Sequence, residues 1–149
     1  MDNKIDFHIE EIDFQLDNKS EINKWIERIA EFYEVEINSI NYIFCSDNYL
    51  LDINKEYLNH DYLTDIITFD NRESDNEEIE SDIFISIDRV KDNASSLGLS
   101  FQEELRRVVI HGFLHLVGFK DKTQEESDNM RLAEDNALNE YNKMFHVEQ

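Results

Sequence analysis

His111-Gly112-Phe113-Leu114-His115-Leu116-Val117-Gly118-Phe119-Lys120-Asp121 is the stretch on which the reading of this chain turns. Leu105, Val108, Val109, Gly112 and Leu116 recur at helical spacing, and Ser100-Phe101-Gln102-Glu103 upstream has the form of a capping box. A helix is therefore predicted from there to Gly118, which supplies the stop. On it His111 and His115 lie four apart, so their imidazoles share one face and can grip one metal ion. Asp121 returns from the turn within reach of the same point. Two imidazoles and one carboxylate leave a tetrahedral ion one open position for water, the pattern of a catalytic rather than a structural site. A bare His-x-x-x-His pair is more often incidental; the apolar helix, the glycine stop and the following carboxylate strengthen the metal reading here. Zinc peptidases carry Glu directly after the first His as general base, and this chain has Gly112 there. Glycine cannot take a proton. Gly112 is read instead as clearing bulk beside the metal so that a large substrate backbone can approach.

Outward from this helix the chain alternates strand and helix signals. Ile5, Phe7 and Ile9 have the period of a half-buried strand, and Ile22, Trp25, Ile26, Ile29 and Tyr33 share a helix face capped by Asn18 or Ser20. Ile40 to Cys45 reads as a strand, followed by a short helix capped by Ser46 or Asp47 and running through Leu50, Leu51, Asn54 and Tyr57. Ile66 to Phe69 and Ile83 to Ile87 are compact β-branched runs, predicted inner strands joined by the acidic hairpin loop Asp70 to Glu80. A helix from Asp88 ends at Gly98. Thr123-Gln124-Glu125-Glu126 is a second capping box and opens a last helix with Met130, Ala133, Ala137, Tyr141 and Met144 inside. The expected fold class is α+β, a small mixed β-sheet with helices packed on it and the metal site at a helix C-terminal end.

Composition sets the frame. The 149 residues are one domain's worth, residues 1–149, and a domain of this size buries roughly 70% of its unfolded surface. Lys+Arg 14 against Asp+Glu 35 gives a net charge of −21, which excludes a basic nucleic-acid-coating protein and a polybasic membrane anchor while leaving room for a local basic patch. At 40% hydrophobic residues the charge does not mean disorder. The single cysteine, Cys45, excludes a disulfide framework and reads as a small buried hydrophobe. Met1 to Phe14 lacks the basic start and apolar run of a signal peptide, and no segment approaches the roughly 18 apolar residues that cross a bilayer. A soluble, cytoplasmic protein with no membrane partner is expected.

The histidine segment resembles the signature of the YbeY family of bacterial metal-dependent endoribonucleases, His-Gly-x-Leu-His-Leu-x-Gly with a third ligand three residues on. Asn54, Tyr57, Asp61 and Thr64-Asp65-Ile66-Ile67-Thr68-Phe69 are similar to a second family block, and Ser81-Asp82-Ile83-Phe84-Ile85-Ser86 to a third, in family order. The resemblance implies a zincin-like fold, a cytoplasmic location, and RNA cleavage in small-subunit ribosomal RNA maturation and ribosome quality control. It implies ribosomal RNA, the small ribosomal subunit and a ribosome-assembly GTPase as partners. It makes His111, His115 and Asp121 the metal ligands of one Zn2+ per chain, and catalytic through that metal.

Departures from the family pattern carry chemistry of their own. Asp121 stands where most members have His, and Lys120 where an Asp usually precedes it. The added negative charge brings harder metals such as manganese within range. Leu58 occupies the place of an arginine thought to face RNA, and Leu63 that of a proline. Arg106 and Arg107, one turn before His111, and Lys120 and Lys122, flanking Asp121, are then the candidate RNA contacts, unless they pair with Glu103 or Glu104 on the helix surface. Asp65 either orients a ligand or the attacking water, or caps a turn. His60 either lines the cleft or faces water, and His8 and His146 have no partners in sequence. Two other readings stay open: a metallopeptidase taking its base from elsewhere, and a non-catalytic ribosome assembly factor whose metal braces the helix end.

Overall fold

In the computed structural model, residues 4–147 are described; Met1 to Asn3 and Glu148 to Gln149, the ends of the expected 1–149 domain, lie outside them. Four strands, β1 (Ile5–Glu10), β2 (Ile37–Cys45), β3 (Ile66–Asp70) and β4 (Ile79–Ser86), form one sheet in the order β1-β2-β4-β3. Strands β1, β2 and β4 run parallel, and β3 pairs antiparallel with β4, so the sheet is mixed as expected; of the two apolar runs expected to be inner strands only β4 is one, because β3 pairs on a single side and lies at the edge. Five helices complete the described residues: α1 (Lys19–Phe32), α2 (Asp47–Leu58), α3 (Ile87–Leu97), α4 (Phe101–Val117) and α5 (Gln124–Phe145). No helix among the described residues is long and apolar enough to cross a membrane.

Period-two alternation sorts the strand residues between two faces. Ile40, Tyr42 and Phe44 of β2, Ile83 and Ile85 of β4 and Ile66 of β3 face the main core, which α1, α3, α4 and α5 cover. Cys45, Ile67, Phe69 and Phe84 point to the other face, where Leu50 and Ile53 of α2 meet them. Cys45 is buried and its thiol is pushed up to about 12, first by burial and then by nearby carboxylates, so it is the inert core residue the sequence suggested. Strand β4 starts at Ile79, earlier than its apolar run, because its first residues pair with β2 and β3. Pairing, not hydrophobicity, sets that end.

Helix termini follow their sequence signals except at α1, where Asn18 stands at the N-cap but makes no capping bond and donates instead to the Tyr141 hydroxyl. Both capping boxes form, at Ser100 with Glu103 and at Thr123 with Glu126. Ser46 rather than Asp47 caps α2, and Ser86 caps α3; Asp47 instead accepts from the Ser86 hydroxyl and Arg89. Helix α5 is anchored by Trp25, whose indole N–H donates to the Ala137 carbonyl at 2.7 Å.

Helix α4 sits hard against the sheet. The Tyr42 hydroxyl donates to the Val109 carbonyl at 3.0 Å. A Cβ built on Gly112 would lie 2.9 Å from Ile66 Cδ1 and 3.2 Å from Ile83 Cγ2. Gly112 therefore faces the sheet, and the expectation that it clears space for substrate beside a metal is corrected: it admits close helix–sheet packing. Gly112→Glu should cost at least about 3 kcal/mol, from overpacking and an unpartnered buried carboxylate. Gly112→Ala should cost far less, since Ile66 Cδ1 is a movable tip and alanine regains up to about 1 kcal/mol of helix propensity. Urea unfolding of the two variants beside the parent measures both differences.

Candidate metal centre

The last two turns of α4 and the turn after it build the centre. Gly118 ends the helix at φ +129, a conformation that side-chain-bearing residues rarely adopt, and its N–H bonds back to Leu114 and His115. The reversal brings the Phe119 carbonyl back to His115 and sets Asp121 opposite both histidines. His111 Nε2 and His115 Nε2 stand 3.1 Å apart, and Asp121 Oδ2 lies 3.3 and 3.2 Å from them. One ligand atom from each of the three residues falls within 4.8 Å of the others, a group that could hold a metal ion.

Outer contacts decide which ring nitrogens face inward. His115 Nδ1 donates to the Phe119 carbonyl at 3.0 Å, and His111 Nδ1 donates to Glu134 Oε2 at 2.7 Å. A carbonyl and an ionised carboxylate only accept, so both Nδ1 atoms carry hydrogen and both Nε2 lone pairs converge with the Asp121 oxygen. Three electron-pair donors aimed at one point call for a cation, and imidazole with carboxylate suits a divalent transition metal. The residues fit the group the sequence implied.

Glu134 is the residue that sequence reasoning missed. Only 5% exposed, it accepts from Arg107 Nη1 at 2.7 Å through one oxygen and from His111 through the other. Burial pushes its carboxyl up, but the His111 and Arg107 hydrogen bonds outweigh that and hold it below the usual carboxylate range. For His111, burial works against the charged ring, yet the bond and charge of Glu134 prevail and its basicity is raised. Glu134 could have been found, because it sits beside Ala133 on the inward stripe of α5, where an acid is out of place.

The centre opens into a cleft of about 500 Å³ between the end of α4, β3 and the segment before β3. Asp65 lines it, with its carboxyl pushed up by burial against the opposing pull of His111, and so do Asp70 and His60. Arg72, missed as well, clasps Asp70 at 2.9 and 2.7 Å and donates to the Leu116 carbonyl at 2.8 Å, closing the C-terminal end of α4. The structure thus brings Asp65 to His111, His115 and Asp121. It does not bring Arg106 and Arg107, expected beside the centre as phosphate contacts, into the cleft: Arg107 pairs with Glu134 and Asp135, and Arg106 lies over the Tyr141 ring at 4.6 Å. Lys120 is exposed in a groove with Tyr33 on another side, and Lys122 is exposed beside Asp121. His8 contacts Asn41 on the outer face of the sheet, and His146 ends α5.

Helices on a mixed sheet, with a His-His-Asp cluster at the end of the central helix, define an α+β protein of the zincin-like kind. Comparison with known proteins narrows this. The profile of the family described as Endoribonuclease YbeY matches residues 4–142, so the chain belongs to the endoribonuclease YbeY family. The Cytophaga hutchinsonii endoribonuclease YbeY is 52% identical over 132 residues, covering 89% of this chain and 92% of the relative. The Flavobacterium johnsoniae protein of the same name is 48% identical over 139 residues, covering 93% and 96%. The solution structure of a Thermotoga maritima protein superposes with a TM-score of 0.62 at 23% identity, covering 94% of this chain and 91% of that one, which extends the likeness of fold.

Glu134→Gln keeps the shape of the side chain and removes its charge. Zinc affinity, read by competition with a chromophoric chelator, should fall about 10- to 100-fold. An unchanged affinity would mean that His111 is oriented without Glu134.

Proposed function

We propose that this chain, as a single YbeY-like metallohydrolase domain, is a metal-dependent endoribonuclease that cuts RNA phosphodiesters in small-subunit ribosomal RNA maturation and ribosome quality control. The reading is carried by one observation: His111 Nε2, His115 Nε2 and Asp121 Oδ2 converge at the mouth of an open cleft, in a chain whose family is named for endoribonuclease activity. His111, His115 and Asp121 would hold one Zn2+, with manganese a second candidate because of the carboxylate. The metal supplies positive charge that polarises a phosphate oxygen and lowers the pKa of the attacking hydroxyl.

The chain's own residues do the rest. Glu134 and the Phe119 carbonyl hold the two imidazoles in the tautomer that turns Nε2 inward. Asp65, half-buried at the cleft wall, takes or orients the proton of the nucleophile, whether water or the ribose 2′-hydroxyl. Lys122, exposed beside Asp121, is the best placed of the four cations first considered for a phosphate backbone. The location that goes with this reading is cytoplasmic, with the small ribosomal subunit and a ribosome-assembly GTPase as partners. A peptidase reading has no support at position 112, which is glycine packed on the sheet.

Elemental analysis of the purified protein should find about one divalent metal per chain. His111→Ala and His115→Ala should each lose the metal and RNA cleavage while unfolding cooperatively. Asp121→His should keep the metal and favour zinc over manganese, because imidazole is the softer donor. Asp65→Asn should retain the metal and cut RNA about 10²- to 10⁴-fold more slowly. Casein cleavage by the zinc-loaded parent without RNA cleavage would overturn the reading.

A further inference from the structure

The wall of the cleft facing α4 is made by the end of α2 and the segment leading to β3, and its surface is aromatic and apolar. Leu58, His60 and Tyr62 line the cleft together with His111, His115 and Asp121. Tyr57, Leu58, Tyr62 and Leu63 are 62%, 41%, 57% and 48% exposed, four of the ten large hydrophobic side chains left at the surface among the described residues, all within seven positions. None of these four belongs to either core cluster. Tyr57 rests edge-on on Phe69, centroids 5.9 Å apart; core packing does not explain the other three.

This wall is held in place by backbone and buried amide. Asn59 ends α2 in the left-handed region at φ 55, and the His60 N–H donates to the Asn54 carbonyl at 3.1 Å. The side chain of Asn54, 1% exposed, donates to the Tyr62 carbonyl at 3.0 Å. On that frame the His60 and Tyr62 rings stack, centroids 5.1 Å apart and 22° from parallel, with His60 Nδ1 and the Tyr62 hydroxyl 3.0 Å apart. Two rings locked face to face present a broad π surface at little cost in side-chain entropy. The charge around them points the same way. Asp65, Asp70 and Asp121 share the cleft, on a chain of net charge −21. Within the cleft these carboxylates disfavour a phosphate chain away from the metal, so an uncharged contact is the way to add affinity there. Stacking of a base on an aromatic face is that contact, indifferent to net charge.

We propose that the His60–Tyr62 pair is a base-stacking subsite, taking one unpaired nucleobase next to the phosphate held at the His111–His115–Asp121 centre, with Leu58 as its apolar floor. The inference rests on the endoribonuclease reading for the identity of the ligand.

The test uses Tyr62→Trp, since the one native tryptophan, Trp25, is wholly buried and gives a constant background. The probe is a 2′-O-methylated octanucleotide, which resists cleavage, and the same chain with every base removed. The intact oligonucleotide should quench the emission of the introduced indole on binding to the metal-loaded variant, and the abasic chain should not. In cleavage assays Tyr62→Leu combined with His60→Ala should raise KM about 5- to 150-fold, with the loss falling on KM rather than kcat, and Tyr62→Phe, which keeps the ring but loses the bond to His60, should fall between the parent and that pair. Equal quenching by the abasic chain, or a leucine variant with the parent's KM, would overturn the subsite and leave the nuclease reading standing. Quenching by the oligonucleotide in a protein that cuts no RNA would do the reverse. A response to an unfolded casein peptide and none to the oligonucleotide would also overturn the subsite, in favour of a protein ligand.

Discussion

The seat of α4 on the sheet at Gly112 is the contact on which the rest of the centre depends. A helix carrying a side chain larger than a methyl group there would be held off Ile66 and Ile83, and α4 supplies both histidines. Rotating α4 by one residue, about 100°, would turn His111 and His115 out of the cleft. Three further contacts pin it against that motion: the Tyr42 hydroxyl on the Val109 carbonyl, Arg72 on the Leu116 carbonyl, and Glu134 on His111 itself. Together they come from β2, the β3–β4 loop and α5, so the centre is a product of the whole fold rather than of one helix.

Burying charge under a metal centre is expensive, and the fold limits the cost by pairing. Glu134 and Arg107 satisfy each other at 2.7 Å, Arg107 reaches on to Asp135, and Glu134 spends its second oxygen on His111. Such a network contributes little net stability compared with apolar packing, and its members are costly to remove singly. Its physical return is orientation. The nearby Glu104 takes the other route: one of its oxygens has no partner among the described residues, and burial followed by the Asp65 charge pushes its carboxyl up toward the neutral form.

An acidic protein that meets a polyanion has to confine attraction to a small region. Repulsion from the body is screened beyond about 8–10 Å at ordinary ionic strength, so local groups govern the cleft. There, Arg72 offsets the charge of Asp70, and the His-His-Asp cluster concentrates whatever positive charge it holds at the end of α4. The rim adds flat apolar area at His60 and Tyr62. This division of labour differs from the basic stripe of most nucleic-acid binders and suits a chain of net charge −21.

What was legible in the sequence was what local rules govern. Capping boxes at Ser100 and Thr123, the strand periods, the burial of Cys45 and the helical i, i+4 spacing of His111 and His115 depend on neighbours a few residues away, and the structure keeps them all. Asp121 could be placed beside the histidines because only a glycine-ended turn separates them. Tertiary structure alone decided the strand order β1-β2-β4-β3, the face that Gly112 presents, and the partners of Arg107 and Glu134, which are 27 residues apart. Each of these depends on which segments meet in space. Spacing along the chain says that Glu134 is an acid on an inward stripe, but only the packing of α5 on α4 turns that acid into the group that aims His111.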